Sequence, residues 1–250
     1  MLHSVAVVGE REGIDIPGSN EAAVLLLHGL FGTPNELHVL GGQLARAGYT
    51  VRIPLLVGRA SHPRELDRLS WDDWIRDAIR HFDELARTHR RVAIGGLSAG
   101  GTTALDVALH RPAASLLLYA AALSLRPRVT SLAPYLWRIV PRWPRATAPL
   151  GAPGRYDRVP VRAVGELVTG MRRVRDHLGD IHAPALVVHS VDDPLVPVAS
   201  AHRLARDLGG PVELIILAGR RHAITAAEEL RDRIGELSVS HLQRHLPLAS

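Results

Sequence analysis

Six short apolar runs recur along the chain. Each consists mainly of Val, Ile, Leu and Ala, and runs of this kind are typical of strands that are buried on both faces of a sheet. The six predicted strands are Ala23–Leu27, Thr50–Ile53, Val92–Gly95, Ser115–Tyr119, Ala185–His189 and Val212–Leu217.

Between these runs the apolar positions change to a helical spacing of three or four residues, most clearly in Trp71–Thr88. A start signal, Thr33-Pro34, precedes the first such segment. The alternation of strands with helices predicts an α/β fold with a doubly wound, mostly parallel sheet. The predicted helices are Glu36–Ala47, Trp71–Thr88, Ala99–His110, Ala199–Leu208 and Ala226–Leu246.

The alternation stops between Leu123 and Ile181, where the chain is rich in Pro, Arg and apolar residues. This stretch has short helical patterns and no convincing strand. We interpret it as a small, mainly helical cap, about residues 123–180, which follows the strand ending at Tyr119 and covers the carboxyl edge of the sheet. Its larger apolar side chains either pack on the core or line a pocket, and they are Tyr135, Leu136, Trp137, Ile139, Val140 and Trp143.

The composition is that of a globular protein without cysteine chemistry. The 250 residues are 46% hydrophobic and 22% charged, as in ordinary globular proteins, and can bury a large core. The absence of cysteine excludes disulfides, thiolate nucleophiles and Cys-ligated metals. Met1–Glu10 lacks a signal-peptide pattern, and no apolar run approaches the roughly 18 residues of a membrane span. With no internal repeat or low-complexity linker, we expect residues 1–250 to form one cytoplasmic domain without stable membrane insertion.

The net charge is +5, and every basic side chain other than histidine is arginine. A basic balance can indicate a nucleic-acid partner. Here the arginines are interleaved with acids and form no ladder with aromatic residues, so a bias in composition explains them better. The local excess lies between Arg126 and Arg175, inside the predicted cap.

The segment Gly96–Gly100 matches the G-x-S-x-G pattern of a nucleophile elbow, with Ser98 as the nucleophile. It lies between a predicted strand and a predicted helix, which is the context that the pattern requires. The flanking small residues let the chain turn sharply, and the start of the helix directs free N–H groups towards the reacting centre.

In this kind of site an acid and then a histidine follow the serine along the chain. Two adjacent acids, Asp192 and Asp193, follow the strand Ala185–His189, at a strand tip where catalytic groups collect in open α/β sheets. We choose Asp193, which lies further out in the loop and four residues before Pro197, and keep Asp192 as the alternative.

The predicted general base is His222, because it follows the last predicted strand and precedes the last helix. It would accept the proton of Ser98, while Asp193 fixes its tautomer and stabilises the imidazolium. The chain contains 14 histidines, so most have other roles.

Other histidines could act as metal ligands or as core residues. The i, i+4 spacing of His241 and His245 could suit a metal, but no third ligand or H-E-x-x-H pattern accompanies the pair. We therefore favour a solvated helix face for both, and packing for His189 at its strand end. No cofactor and no metal is predicted.

The first apolar run leads into a loop bounded by glycines, His28–Gly32. In such folds this loop supplies one backbone N–H to the oxyanion, and the residue after the nucleophile supplies the other. We assign these donors to Leu30 and Ala99. The alternative is a plain strand-to-helix turn. It is less well supported, because the elbow, the acid and the base occur in the expected order.

These segments together resemble the small bacterial carboxylesterases and monoacylglycerol lipases of the α/β-hydrolase superfamily. The resemblance covers essentially the whole chain, is weakest in the insertion, and supports Asp193 over Asp192 by its spacing. It implies a small cap over an apolar acyl pocket and no cofactor. The shared segments are His28–Pro34, Ala47–Val51, Trp71–Trp74, Gly96–Gly101 and Ala183–Val188, with Asp193 and His222.

Two features depart from that group. Its members often carry Gly-His-Gly after the second core strand, whereas this chain has Gly58-Arg59-Ala60, with His62 just beyond. The cap is also unusually rich in arginine. Both departures bear on loop shape and substrate rather than on the chemistry.

We therefore expect a serine hydrolase that cleaves short- to medium-chain acyl esters or monoacylglycerols through an acyl-enzyme on Ser98. Its expected partner is a small ester with an apolar acyl group, and its expected state is a monomer or homodimer. An amidase, thioesterase, lactonase or perhydrolase would use the same three residues. A non-enzymatic binding member of the fold would have a broken triad, and the triad residues are all present.

Overall fold

A seven-stranded sheet forms the centre of the molecule. The structure, a computed structural model, describes residues 12–18, 21–59, 63–126, 130, 132–139, 142–144 and 158–247. Its strands are β1 (Ile14–Ile16), β2 (Ala22–Leu27), β3 (Thr50–Ile53), β4 (Arg91–Leu97), β5 (Leu116–Tyr119), β6 (Arg142–Pro144), β7 (Arg158–Pro160), β8 (Ala185–Ser190) and β9 (Val212–Leu217).

The strand order in the sheet is β1-β3-β2-β4-β5-β8-β9. All neighbours are parallel except β1, which runs antiparallel to β3 at one edge. The six predicted strands are confirmed, with bounds that differ by at most two residues. The prediction missed β1, because three residues are too short for a recognisable apolar run.

The helices are α1 (His38–Arg46), α2 (Pro63–Leu66), α3 (Trp71–Ala86), α4 (Ala99–His110), α5 (Ala133–Leu136), α6 (Val161–Asp176), α7 (Ala199–Asp207) and α8 (Arg231–His245). All five predicted helices are present. The first and last predicted helices begin instead with short 3₁₀ turns, at Pro34–Glu36 and Glu228–Leu230.

Side chains alternate between the two faces of β2, and each face has its own layer of helices. Leu25 and Leu27 belong to a core cluster that includes Phe82 of α3 and Leu105 of α4. The intervening side chain of Leu26 belongs to the opposite cluster, with residues of α1 and α8. The chain is therefore a three-layer α/β fold, which leaves the carboxyl ends of the parallel strands free to carry a site.

The insertion after β5 differs from the prediction in two ways. It contains a 16-residue helix, α6, rather than only short helical patterns, and β6 pairs antiparallel with β7. Apolar side chains of α6, such as Leu167 and Met171, pack with Trp71 and Trp74 of α3 and with Leu30 in the loop after β2. The described part of the insertion therefore packs beside the loop that follows the carboxyl end of β2.

The predicted apolar side chains of the cap have unequal roles. Tyr135 and Ile139 are 67% and 79% exposed, so they neither pack on the core nor line a closed pocket. Trp137 is half-buried, and the guanidinium groups of Arg138 and Arg162 lie 5.1 and 5.2 Å from its ring centre. Val140 and the side chain of Trp143 lie outside the described residues, as do Met1–Glu10, Ala60 and His62.

The prediction of a solvated face for His241 is wrong. The side chain is 1% exposed, and its Nε2 lies 3.0 Å from the Ser115 hydroxyl. Nδ1 faces Glu213 at 3.4 Å, so α8 turns this residue towards the sheet. Among the described residues no helix has the length and apolar character needed to cross a membrane.

Candidate active site

Ser98 lies at the turn between β4 and α4, in a backbone conformation that side-chain-bearing residues rarely adopt. Its φ and ψ are 57° and −117°, and its N–H donates to the Tyr119 carbonyl at 2.9 Å. The turn depends on its glycines, because a Cβ at Gly100 would lie 1.9 Å from the Leu27 oxygen, and one at Gly96 would lie 2.5 Å from the Gly100 carbonyl carbon. This strained, tightly packed turn is the geometry of a nucleophile elbow.

Asp193 meets His222 at the carboxyl end of β8. The Asp193 side chain is buried, and its Oδ2 lies 2.7 Å from Nδ1 of His222. Its other oxygen accepts the N–H groups of Leu195 and Val196, at 2.7 and 2.9 Å. Asp192, the alternative acid, is exposed. The geometry therefore favours Asp193 as the partner of His222.

The bond to Asp193 defines the tautomer of His222. A carboxylate accepts, so Nδ1 carries the proton and Nε2 retains its lone pair. His222 and Ser98 border the same cavity, of about 260 Å³. The arrangement leaves an imidazole nitrogen able to take a proton in the cavity that contains the serine.

His189 is a core residue beside this pair, as predicted. It is fully buried, and burial lowers the pKa of its imidazole. Its Nε2 lies 3.0 Å from the Val196 carbonyl and 3.7 Å from Oδ2 of Asp193. A neutral His189 donates to the Val196 carbonyl, and this bond helps to fix the loop that carries Asp193.

Leu30 and Ala99 lie where the sequence suggested oxyanion donors. Leu30 borders the cavity, and none of the described residues accepts a hydrogen bond from its N–H. Ala99 is the first residue of α4, so its N–H has no acceptor within the helix. Neither N–H group therefore has a hydrogen-bond acceptor among the described residues.

Sequence reasoning missed Glu36, which it treated only as the start of a helix. Its carboxylate borders the cavity, and Oε2 accepts the N–H of Gly29 at 3.2 Å. A Cβ at Gly32 would lie 1.9 Å from that oxygen, so the glycine-bounded loop closes around the carboxylate. Burial raises the pKa of Glu36, and the charges of His222 and Arg59 act in the opposite direction. The sequence did contain one signal for Glu36: it is an acid in the first helical turn after Thr33-Pro34.

The remaining walls of the cavity are largely apolar. Leu125, Leu167 and Leu195 come from the cap and from the loop after β8, and Phe31 comes from the loop after β2. In the described part of the chain, no group of three or more acidic or histidine side chains is arranged to hold a metal ion. The site therefore combines an apolar wall with the few polar groups described above.

Residues 18–156 and 152–229 match the family described as serine aminopeptidase, S33. The chain belongs to this family. Its relatives agree with the predicted superfamily, and together they identify the chain as an α/β-hydrolase enzyme.

Three relatives illustrate the similarity. The chain is 25% identical over 231 residues to a thermostable monoacylglycerol lipase of Bacillus sp. (strain H-257), covering 89% of this chain and 90% of the relative. It is 24% identical over 189 residues to a carboxylesterase of Bacillus subtilis (strain 168), covering 73% and 76%. A solved structure from a study of the metagenome-derived lipolytic enzymes LipS and LipT superposes with a TM-score of 0.85 at 26% identity, covering 96% and 100%.

Proposed function

We propose that this protein is a serine esterase that hydrolyses short- to medium-chain acyl esters or monoacylglycerols. The observation that carries the proposal is the 2.7 Å bond from His222 to Asp193 beside a cavity that His222 shares with Ser98. The lipase and carboxylesterase relatives support ester bonds as the target.

The reaction proceeds in two acyl-transfer steps. The Ser98 hydroxyl attacks the ester carbonyl carbon while Nε2 of His222 accepts its proton. The N–H groups of Leu30 and Ala99 stabilise the oxyanion, and Asp193 stabilises the imidazolium. His222 then protonates the leaving alcohol, and water, activated in the same way, releases the acid from Ser98.

The cavity supports a small acyl group. Its volume of about 260 Å³ lies just below the range of about 300–1,000 Å³ that is usual for small-molecule pockets. Its leucine-rich walls recognise an acyl chain by shape, which discriminates only modestly between neighbouring chain lengths. We expect activity across several short and medium chains, with a decline for long ones.

A specific observation favours a second candidate, an amidase for substrates with a free amino group. The Glu36 carboxylate borders the cavity and could pair with a substrate ammonium group. The family description, serine aminopeptidase, names such an activity. Amide and ester cleavage would use the same nucleophile and base, so a substrate panel separates the two candidates.

The test is a panel of p-nitrophenyl esters from acetate to palmitate, monoacylglycerols and amino-acid p-nitroanilides. We expect the highest kcat/KM on short and medium esters, and a loss of at least about 10⁴-fold in Ser98→Ala. Ser240→Ala, at an exposed position on α8, is the matched control and should retain the wild-type rate. Ester turnover that survives in Ser98→Ala would contradict the mechanism, and a preference for anilides would favour the second candidate.

A further inference from the structure

Where related enzymes often carry Gly-His-Gly, this chain has Gly58-Arg59-Ala60. The guanidinium group of Arg59 is buried against the loop that contains the predicted oxyanion donor Leu30. Arg59 is 1% exposed, and its Nη1 donates to the carbonyl oxygens of His28 and Gly29, at 3.0 and 3.1 Å. Its guanidinium carbon lies 5.1 Å from the ring centre of Trp74. Burying a charge is costly unless hydrogen bonds compensate for the lost water. Two of the compensating acceptors are backbone groups of this loop.

The Gly29 carbonyl receives two further donors. Nδ1 of His28 lies 3.0 Å from it, and the N–H of Gly32 donates to it at 3.2 Å. The role of His28 as donor follows from its other nitrogen, because Nε2 must accept the N–H of Leu56 at 3.2 Å. Burial, together with the charge of Arg59, lowers the pKa of His28 to about 3, so the ring is neutral and Nδ1 carries its single proton.

The direction of the Gly29 carbonyl determines the direction of the next N–H. The peptide unit is planar and trans, so the C=O of Gly29 and the N–H of Leu30 point to opposite sides. The three donors hold the carbonyl on the side of Arg59, and Leu30 borders the cavity. The preceding peptide is fixed as well, because the Gly29 N–H donates to Glu36 at 3.2 Å. Rotation of the Gly29–Leu30 peptide would break all three bonds to the carbonyl and turn the N–H away.

We propose that Arg59 is a positioning residue for the oxyanion hole, holding the Gly29–Leu30 peptide so that the Leu30 N–H faces the carbonyl oxygen of the substrate. Arg59 does not touch the substrate and acts through the Gly29 carbonyl. The inference rests on the proposed esterase function, since it assumes that an oxyanion forms beside Ser98. It gives the arginine in this sequence a role in turnover, beyond filling space behind the loop.

The test compares Arg59→Met with Arg59→Lys and the wild type. Methionine keeps an apolar stem near Trp74 but loses the donors to both carbonyls, whereas lysine keeps a cation with a different donor geometry. Loss of an oxyanion donor typically lowers kcat by about 10²–10³-fold. Because His28 and Gly32 still hold the Gly29 carbonyl, we expect a smaller loss of about 10- to 100-fold for Arg59→Met and less for Arg59→Lys, with KM changed less than about threefold.

A second readout separates positioning from general damage. An alkyl trifluoromethyl ketone adds Ser98 to its carbonyl carbon and creates an oxyanion, whereas the matching methyl ketone binds with its carbonyl intact. We expect Arg59→Met to weaken inhibition by the trifluoromethyl ketone by the same factor by which it lowers kcat/KM. Inhibition by the methyl ketone should weaken by less than about threefold. Tyr49→Phe is the control, because it also removes a buried side-chain donor to a backbone carbonyl, that of Leu246 at 3.1 Å.

The outcomes distinguish this inference from the proposed function. Wild-type protein that neither hydrolyses the esters nor binds the trifluoromethyl ketone would defeat the esterase proposal itself. With an active wild type, a folded Arg59→Met variant of unchanged kcat would overturn the positioning role. Equal losses for both ketones would overturn it too, since a damaged site weakens both. If Arg59→Met does not fold, the same comparison is made on Arg59→Lys.

Discussion

At the scale of single residues, the proposed role of Asp193 depends on both of its carboxylate oxygens. Oδ1 accepts two N–H groups of its own loop, so the carboxylate cannot rotate freely. Oδ2 is thereby held 2.7 Å from Nδ1 of His222. Asp192 has an exposed side chain and lacks this arrangement. The two acids differ by one position in the chain, yet only one can fix the tautomer of the histidine.

We predict that Asp193→Asn and Asp192→Asn have very different effects on turnover. Asparagine can still accept the loop N–H groups through its oxygen, which directs its NH₂ group towards His222. Nδ1 must then accept, the proton moves to Nε2, and the base is lost. Such a change lowers kcat by about 10⁴-fold in the Ser-His-Asp triad of a serine protease. We expect a comparable loss for Asp193→Asn and less than about twofold for Asp192→Asn, measured as kcat with p-nitrophenyl butyrate. Equal losses in the two variants would contradict the assignment.

The sequence pointed to Ser98, Asp193 and His222 because each follows a strand in a fixed order along the chain, and the structure brings Asp193 to His222 beside the cavity of Ser98. Glu36 and Arg59 could not be assigned in this way. Glu36 acts on Gly29 across seven residues and Arg59 across 30, and both contacts depend on how two loops fold against each other. A local pattern contains no information about such a contact. The motif departure at Arg59 marked the position but not its role.

At the scale of elements, the elbow depends on how closely α4 approaches the end of β2. A Cβ at Gly100 would lie 1.9 Å from the Leu27 carbonyl oxygen and 2.7 Å from that of His28. Both atoms are backbone, so neither can move aside without displacing the loop that carries Leu30. The same short distance therefore links the stability of the fold to the position of the loop that carries Leu30, the proposed oxyanion donor.

We predict that Gly100→Ala lowers both stability and turnover. Overpacking of this kind costs typically about 1–3 kcal/mol of unfolding free energy. The displaced loop should also lower kcat, since Leu30 and Ser98 lie on opposite sides of the contact. Unfolding in urea and ester hydrolysis measure the two effects.

Gly42→Ala is the matched control. It lies within α1, and the nearest atom to an added Cβ is the end of the Arg46 side chain at 3.6 Å. There the substitution should stabilise the protein by about 0.4–1 kcal/mol, as alanine usually does within a helix. A Gly100→Ala variant as stable and as active as Gly42→Ala would show that the elbow tolerates a side chain.

Helices and strands could be predicted where a local pattern of apolar residues defines them. The core strands are continuous apolar runs, so their bounds could be predicted closely. The strands β6 and β7, which lie within the cap, have three residues each. That length is too short to show an alternation of apolar and polar side chains. The α6 helix did carry a signal, with apolar residues at Val161, Val164, Leu167 and Met171. Its many arginines and the prolines before it obscured that period.

At the scale of the whole molecule, the described part of the chain holds four histidines in environments that disfavour their charged form. Desolvation is the main cause in each case, and it lowers the pKa of His28, His81, His189 and His241. An unfolded chain exposes these rings to water and protonates them below about pH 6.5. At acidic pH the folded protein therefore binds fewer protons at these four histidines than the unfolded chain does.

The sign of the resulting pH dependence follows from linkage. A histidine whose pKa is lowered by folding contributes full stability above its unfolded pKa, and the contribution is lost as the pH falls towards its folded pKa. For His28 the interval runs from about pH 6.5 down to about 3. Glu36 and Asp67, whose pKa values are raised mainly by burial, act in the opposite direction. The four histidines outnumber these two acids.

We predict that the free energy of unfolding falls between pH 7 and pH 5, and that His28 alone accounts for about 2 kcal/mol of the fall, from its pKa of about 3. The decisive measurement is the slope of that free energy against pH, from urea titrations at half-unit steps between pH 5 and 6. His28→Asn retains an NH₂ donor for the Gly29 carbonyl but has no imidazole to protonate. Its slope should be smaller than that of the wild type by nearly one proton, about 1.4 kcal/mol per pH unit. Comparing slopes cancels any loss of stability that the substitution causes at every pH. Parallel curves for the two proteins would mean that His28 takes up a proton in the folded state as readily as in the unfolded chain, and Nε2 could then not accept the Leu56 N–H.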